Sequence, residues 1–292
     1  MNNLYLKRTF FHSSKTLFFD KFLKPVIEAS QKREHMVEQL IRPVGLPQPP
    51  NSKIQYSKGN SFRDLFDEKK TRRRTKELTL EMSKSGMYDV YTFRKTNGKL
   101  FISPKSYWRD DKSLYFPHIV GRSLKKGESK QISIEDKMRG KLNIVRLFSN
   151  DIGEKLSSQF FKEPYTLESL SNTPLAKNNT QLIEITWVEN GIKSLITKLS
   201  VFKLRSNMSE RRQRNYFFAY KDQLPFIIRD QLNINNILTG YILLVDQNLK
   251  IRWMACGGVS NLHTEERDTM WKCIRSLQKE MKKINDSSQN KN

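Results

Sequence analysis

The sequence predicts an α/β protein, a mixed sheet with helices on both faces, and three observations predict it. Leu142 to Phe148, LNIVRLF, is apolar almost throughout and short, the pattern of a strand buried on both faces. Tyr241 to Val245 and Lys250 to Ala255 flank Asp246-Gln247-Asn248, which reads as strand, turn and strand. Between these strands the period alternates between helix and strand, and the right-handed crossover rule leaves few ways to wind such a chain.

Each element follows in order. Pro25, Pro43, Pro47, Pro49 and Pro50 make residues 18–60 an expected extended linker that tethers rather than packs. At Ser61 the stretch SFRD has capping-box form, and a basic helix is expected over 61–86, stopped at Gly86. Within it Lys69, Arg73 and Lys76 stand where an apolar stripe would continue. They fit either a solvated face or a contact with lipid or RNA phosphates. A compact domain is expected over 87–285. MYDVYTFRKTNGKLF alternates about TNGK and reads as a hairpin, and Ser133 to Arg139 as a short helix before the 142–148 strand. Next come a helix over 151–161, a strand over 181–189, a helix over 193–204, the strand NYFFAY and a helical turn over 224–232. After the hairpin, Met270, Trp271, Ile274, Leu277, Met281 and Ile284 repeat at helical spacing behind a Thr264 cap. Residues 286–292 read as a disordered tail.

The chain has 292 residues, 53 Lys+Arg against 30 Asp+Glu, and a net charge of +23. That balance favours anionic surfaces: nucleic acid, lipid headgroups or acidic protein. No apolar run approaches the roughly 18 residues of a spanning helix. Two cysteines without framework spacing argue against a disulfide-stapled secreted domain. The first nineteen residues carry Lys7, Arg8, Lys15, aromatics and serines with no acid before Asp20, the composition of a mitochondrial presequence over 1–17. RTFFHSSKTL resembles a two-step processing site, with Arg8, Phe10 and Ser13 in recognition positions and maturation after Leu17.

The strand order suits a thioredoxin-like winding of peroxiredoxin type, preceded by the basic helix. FPHIVGRSL with SIEDKMRGKLNIVRLFS looks like the entry of such a domain, and LTGYILLVDQNLKIRW like its exit hairpin. With the basic extension and presequence, residues 85–285 resemble the family of mitochondrial assembly factors for the Fo sector of ATP synthase, most specifically in LYFPHIVG and NILTGYILLVDQNLKIRWMACG. The resemblance implies a chaperone of subunit 6 (subunit a), peripheral on the matrix side of the inner membrane, with anionic lipid as a second partner and no nucleic acid. Thiol enzymes of this fold place their cysteine just past the first core strand, at a helix N-terminus that lowers its pKa. Here that place reads FSNDIGEK; neither Cys256 nor Cys273 lies there, and Asn150 or Asp151 is an expected helix cap. No catalytic, cofactor or metal residue is nominated: CxxC, HxxxH and phosphate-cradling glycine patterns do not occur. Arg211, Arg212 and Arg214, ahead of the aromatic strand, join Lys69, Arg73 and Lys76 as candidate lipid or partner contacts. Two rival readings are a mitochondrial RNA- or ribosome-associated protein and a divergent thiol oxidoreductase using Cys256 or Cys273.

Overall fold

A computed structural model describes residues 35–54, 56, 66–84, 87–128, 131–162, 165–172, 179–188, 196–220, 223–259 and 265–289. The elements run β1 (Glu38–Gln39), α1 (Glu68–Lys84), α2 (Met87–Thr96), β2 (Phe101–Ile102), β3 (Leu114–Tyr115), β4 (Val120–Ser123), β5 (Gln131–Ser133) and α3 (Ile134–Met138). They continue β6 (Leu142–Phe148), α4 (Asp151–Ser158), α5 (Leu167–Asn172), β7 (Thr180–Val188), α6 (Ile196–Ser206), α7 (Glu210–Arg214), β8 (Tyr216–Tyr220), α8 (Phe226–Gln231), β9 (Tyr241–Val245), β10 (Lys250–Cys256) and α9 (Glu265–Gln289).

The main sheet has the order β3-β10-β9-β6-β7-β8-β4-β5. β6 lies at its centre, parallel to β7 and antiparallel to β9, and every one of its seven residues is buried. The order β10-β9-β6-β7, with β6 and β7 parallel and β9 and β10 antiparallel to their neighbours, is the thioredoxin-like winding. β8 extends it in parallel beyond β7, and β4 and β5 close that side.

Alternation along the strands separates two cores. Val145, Leu147, Ile183, Ile185, Phe217, Leu243 and Met254 pack with Phe116, Ile119 and Ile134 on one face. Leu142, Ile144, Leu182, Ile242, Leu244 and Trp253 meet Met270, Trp271, Ile274, Leu277 and Met281 of α9 on the other. The apolar spacing of α9 therefore fixes its rotation on the sheet.

Four expectations are corrected. MYDVYTFRKT is helical, not half a hairpin: its buried members, Asp89 and Thr92, stand three apart, the spacing of one helix face. Asn97 and Gly98, both at positive φ, end that helix rather than reverse a strand, and Gly98 N–H donates to the Phe93 carbonyl at 3.0 Å. The proline-rich segment packs rather than tethers over residues 35–54. β1 pairs in parallel with β2, Leu46 bridges Tyr115 antiparallel, and Val44 and Leu46 are buried. Prolines forbid helix but not a strap that runs extended across a sheet edge. At the C-terminus, α9 continues through Gln289, past the point where a tail was expected. The helix in the 61–86 region starts later than expected, at Glu68, where Asp67 Oδ1 accepts from the Lys69 and Lys70 amides at 3.0 and 3.2 Å. Ser61, Gly86 and Thr264 lie outside the described residues.

Candidate functional site

The end of β6, where a thiol enzyme of this fold would carry its cysteine, is occupied by a hydrogen-bonded helix start. Asn150 is the N-cap of α4, its Oδ1 accepting from Gly153 N–H at 2.8 Å. Ser149 Oγ and Asn150 Nδ2 both donate to the Ile237 carbonyl, the latter at 3.1 Å. Ser149 therefore has its proton committed to a carbonyl, and no histidine contact that would make it a nucleophile occurs among the described residues. Behind this point α4 and the loop before β9 touch backbone to backbone: a Cβ on Gly240 would stand 2.1 Å from the Gly153 carbonyl oxygen. Only glycine at both positions lets the helix sit this close.

Beside this helix start opens a cleft of about 360 Å³, lined by Phe148, Val201, Leu204, Tyr216 and Phe218, with Asp151, Glu154 and Lys203 among its polar groups. Burial pushes the Glu154 carboxyl above its usual pKa, against the pull of Arg146. Tyr216 OH and Thr186 Oγ1 bond each other at 2.6 Å, and burial pushes the Tyr216 phenol up as well.

Beneath the cleft lies a charge network. Arg146, fully buried in the middle of β6, pairs through Nη1 with Glu184 of β7, while its Nη2 donates to the Glu154 carbonyl at 2.8 Å and to Ser157 Oγ at 3.1 Å. Arg212 approaches Glu184 from the other side, donating to Oε2 at 2.6 Å and to Oε1 at 3.1 Å. An arginine and a glutamate at facing register positions of two apolar strands, Arg146 opposite Glu184, were the signal by which LNIVRLF and QLIEITW could have disclosed this pair. Paired in this way, the network holds α4, β7 and α7 together and offers no free proton carrier.

Cys256 and Cys273 belong to the two different cores, on opposite faces of the sheet, and both are free. Burial pushes each thiol up to about 11, so neither is a thiolate at neutral pH. The Cys256 sulfur is held between backbone groups, accepting from Leu100 N–H at 3.2 Å. Standing on opposite faces of the sheet, the two cysteines are not paired with each other. Among the described residues no cluster of His, Cys, Asp and Glu is arranged to hold a metal.

The remaining sequence-nominated residues divide. Arg8, Phe10, Ser13 and Leu17 lie outside the described residues. Lys69 and Lys76 are exposed on α1, and Arg73 is on the same helix. Arg211 and Arg214 are exposed on α7, but Arg212 turns inward to Glu184 and Glu168, so its charge is spent inside the fold rather than offered to lipid. α1 packs beside α2 and α8 whereas α7 packs beside α5, which sets the two basic clusters on separate elements.

Comparison with known proteins bears on this arrangement. The family model described as ATP10 protein matches residues 24–277. The chain is 47% identical over 275 residues to the mitochondrial ATPase complex subunit ATP10 of Candida glabrata, covering 92% of this chain and 95% of the relative. It is 44% identical over 280 residues to the Saccharomyces cerevisiae protein of the same description, covering 92% and 98%. A DsbF homologue from Corynebacterium diphtheriae is a solved structure with 12% identity and a TM-score of 0.38, covering 60% of this chain and 93% of its own. On the extent of the family match and the identity to these relatives, the chain belongs to the ATP10 protein family.

Proposed function

We propose that this chain is a non-catalytic assembly factor of mitochondrial ATP synthase that binds newly made subunit 6 and promotes its incorporation into the Fo sector. The observation that carries the reading is the helix start after β6. A serine and a capping asparagine, both bonded to the Ile237 carbonyl, stand where redox members of the fold need a thiolate. A thioredoxin-like scaffold so filled is left with binding. The naming of the yeast relatives as mitochondrial ATPase complex subunits supports the complex, and the resemblance of LYFPHIVG and NILTGYILLVDQNLKIRWMACG to Fo-sector assembly factors supports subunit 6 as client. We place the protein on the matrix face of the inner membrane, after removal of a presequence ending at Leu17. The absence of any helix long and apolar enough to cross a membrane among the described residues is compatible with a peripheral position.

The test is a pull-down of the tagged protein from mitochondria labelled during organellar translation. Selective recovery of labelled subunit 6 is expected; equal recovery of all products, or of none, overturns the reading. Exposed Arg211, Arg214, Lys69 and Lys76 favour one second reading, an RNA- or ribosome-associated protein. Complexes that dissolve on RNase digestion would establish that reading instead.

A further inference from the structure

Over its middle turns the final helix turns its one acid inward and its bases outward. Two of its acids point inward: Glu266 pairs with buried Lys99 and accepts from Ser103 N–H at 2.6 Å, and Glu280 accepts from Arg252 Nη2 at 2.9 Å. Its bases point outward: Lys272, Arg275, Lys279, Lys282 and Lys283 are all exposed. From Lys272 to Ile284 the only carboxylate is Glu280, and it is turned to Arg252. At 1.5 Å per residue the five cations form a band about 16 Å long on one side of the helix. The rotation is not free to change, because Met270, Trp271, Ile274, Leu277 and Met281 are buried against the sheet and Gln278 donates to Thr180 Oγ1 at 2.9 Å. The first turn keeps exposed Glu265 and Asp268 and Asp286 is exposed beyond the band, so the positive field is strongest over Lys272–Lys283 between them.

We propose that the solvent face of α9, from Lys272 to Lys283, docks the protein on anionic phospholipid headgroups. The inference rests on the membrane-surface reading above and adds the element that makes the contact. Charge complementarity selects the class of partner: a fixed band of five exposed cations, whose one internal carboxylate, Glu280, is turned to Arg252, matches a layer of phosphates. The other basic helix is less suited, since Arg72 of α1 pairs with Glu68 at 2.7 Å and Arg74 with Glu77 at 3.3 Å. Single-stranded RNA is disfavoured because it would need exposed rings to stack on along the band, and Lys272–Lys283 contains no aromatic residue. Ile284, 44% exposed beside Lys283, adds an apolar contact at the end of the band.

The experiment is flotation of the purified chain with vesicles of phosphatidylcholine containing cardiolipin and with vesicles of phosphatidylcholine alone. The wild type and a variant with all four lysines of the band changed to arginine are expected to float with the cardiolipin vesicles, in a salt-sensitive manner. Changing all five cations to glutamine is expected to lower partitioning roughly a hundredfold or more. These positions are exposed, and an unchanged circular dichroism spectrum and melting profile check that the variant is folded. Wild-type flotation by the five-glutamine variant, equal flotation with both vesicles, or binding of duplex RNA without vesicle binding overturns the proposal. No client is present in this assay, so failure here with subunit 6 capture intact removes only the docking face, and failure of capture with flotation intact removes only the client.

Discussion

The two long helices, α1 and α9, are both rich in lysine and arginine and differ in how they hold them. α9 has one face sunk into a core and another that is cationic; α1 pairs part of its charge within its own turns and exposes Leu78 at 42%. α9 is thus held by burial, worth several kcal/mol per large side chain, whereas the intrahelical ion pairs of α1 contribute a few tenths each. Basic composition alone says little about what a helix does; the distribution of its apolar and acidic residues decides.

The sharpest way to break this comparison is to remove one acid from each helix. Glu266→Ala would leave the Lys99 ammonium buried and unpaired beneath the start of α9, and is expected to cost about 3–5 kcal/mol in denaturant melts. Glu81→Ala removes a carboxylate that is 35% exposed and 3.4 Å from Arg229, and is expected to cost about 1–3 kcal/mol, since Arg229 keeps Phe226 beneath its guanidinium. Equal losses would mean that α1 is anchored as firmly as α9. Next in size, Leu277→Ala should cost about 2–5 kcal/mol and Leu78→Ala no more than about 0.5 kcal/mol by the same measurement.

A pH prediction concerns the strand end on which α9 begins, where Lys99 Nζ reaches the Cys256 carbonyl at 3.2 Å. The Cys256 thiol is raised from 9.0 to about 11, so the folded state retains its proton longer than the unfolded chain. The resulting stability is fully present below pH 9 and is lost as the pH rises through about 11. Cys256→Ala should remove about 2–3 kcal/mol of the alkaline decline between those limits; an unchanged slope would show that the thiol is not buried as described. Smallest of all, Lys69→Gln with Lys76→Gln should move stability by less than about 0.5 kcal/mol, because both side chains are exposed on α1.

The parts of the fold legible in the sequence are those whose pattern had one physical solution. β6 reads as a doubly buried strand because LNIVRLF offers no polar face, and α9 reads as amphipathic because its apolar spacing runs for over three turns. α2 was misread because MYDVYTFRKT alternates weakly and ends in Asn97-Gly98, and the same positive φ values serve a hairpin and a helix end. Residues 35–54 were misread because proline reports what a segment cannot form and not what it lies against. The thiol position was legible as FSND. What escaped was the buried Arg146–Glu184–Arg212 network, because a pairing across two strands and a helix needs their register, and that register is tertiary.

The strap has a consequence for the order in which the molecule can be completed. The His35 side chain bonds the Leu100 carbonyl, and backbone bonds run to Ile102, then to Tyr115, and at Gly45 to the carbonyl of Gln231, deep in the C-terminal part of the chain. Synthesis delivers the strap long before Gln231 exists, so the segment made early has to wait for a partner made late. Contacts of such long sequence separation are slow to close. Docking of residues 35–54 is therefore the step that signals a finished fold, and protection of the Leu40, Gly45 and Leu46 amides from hydrogen exchange should appear after that of β6.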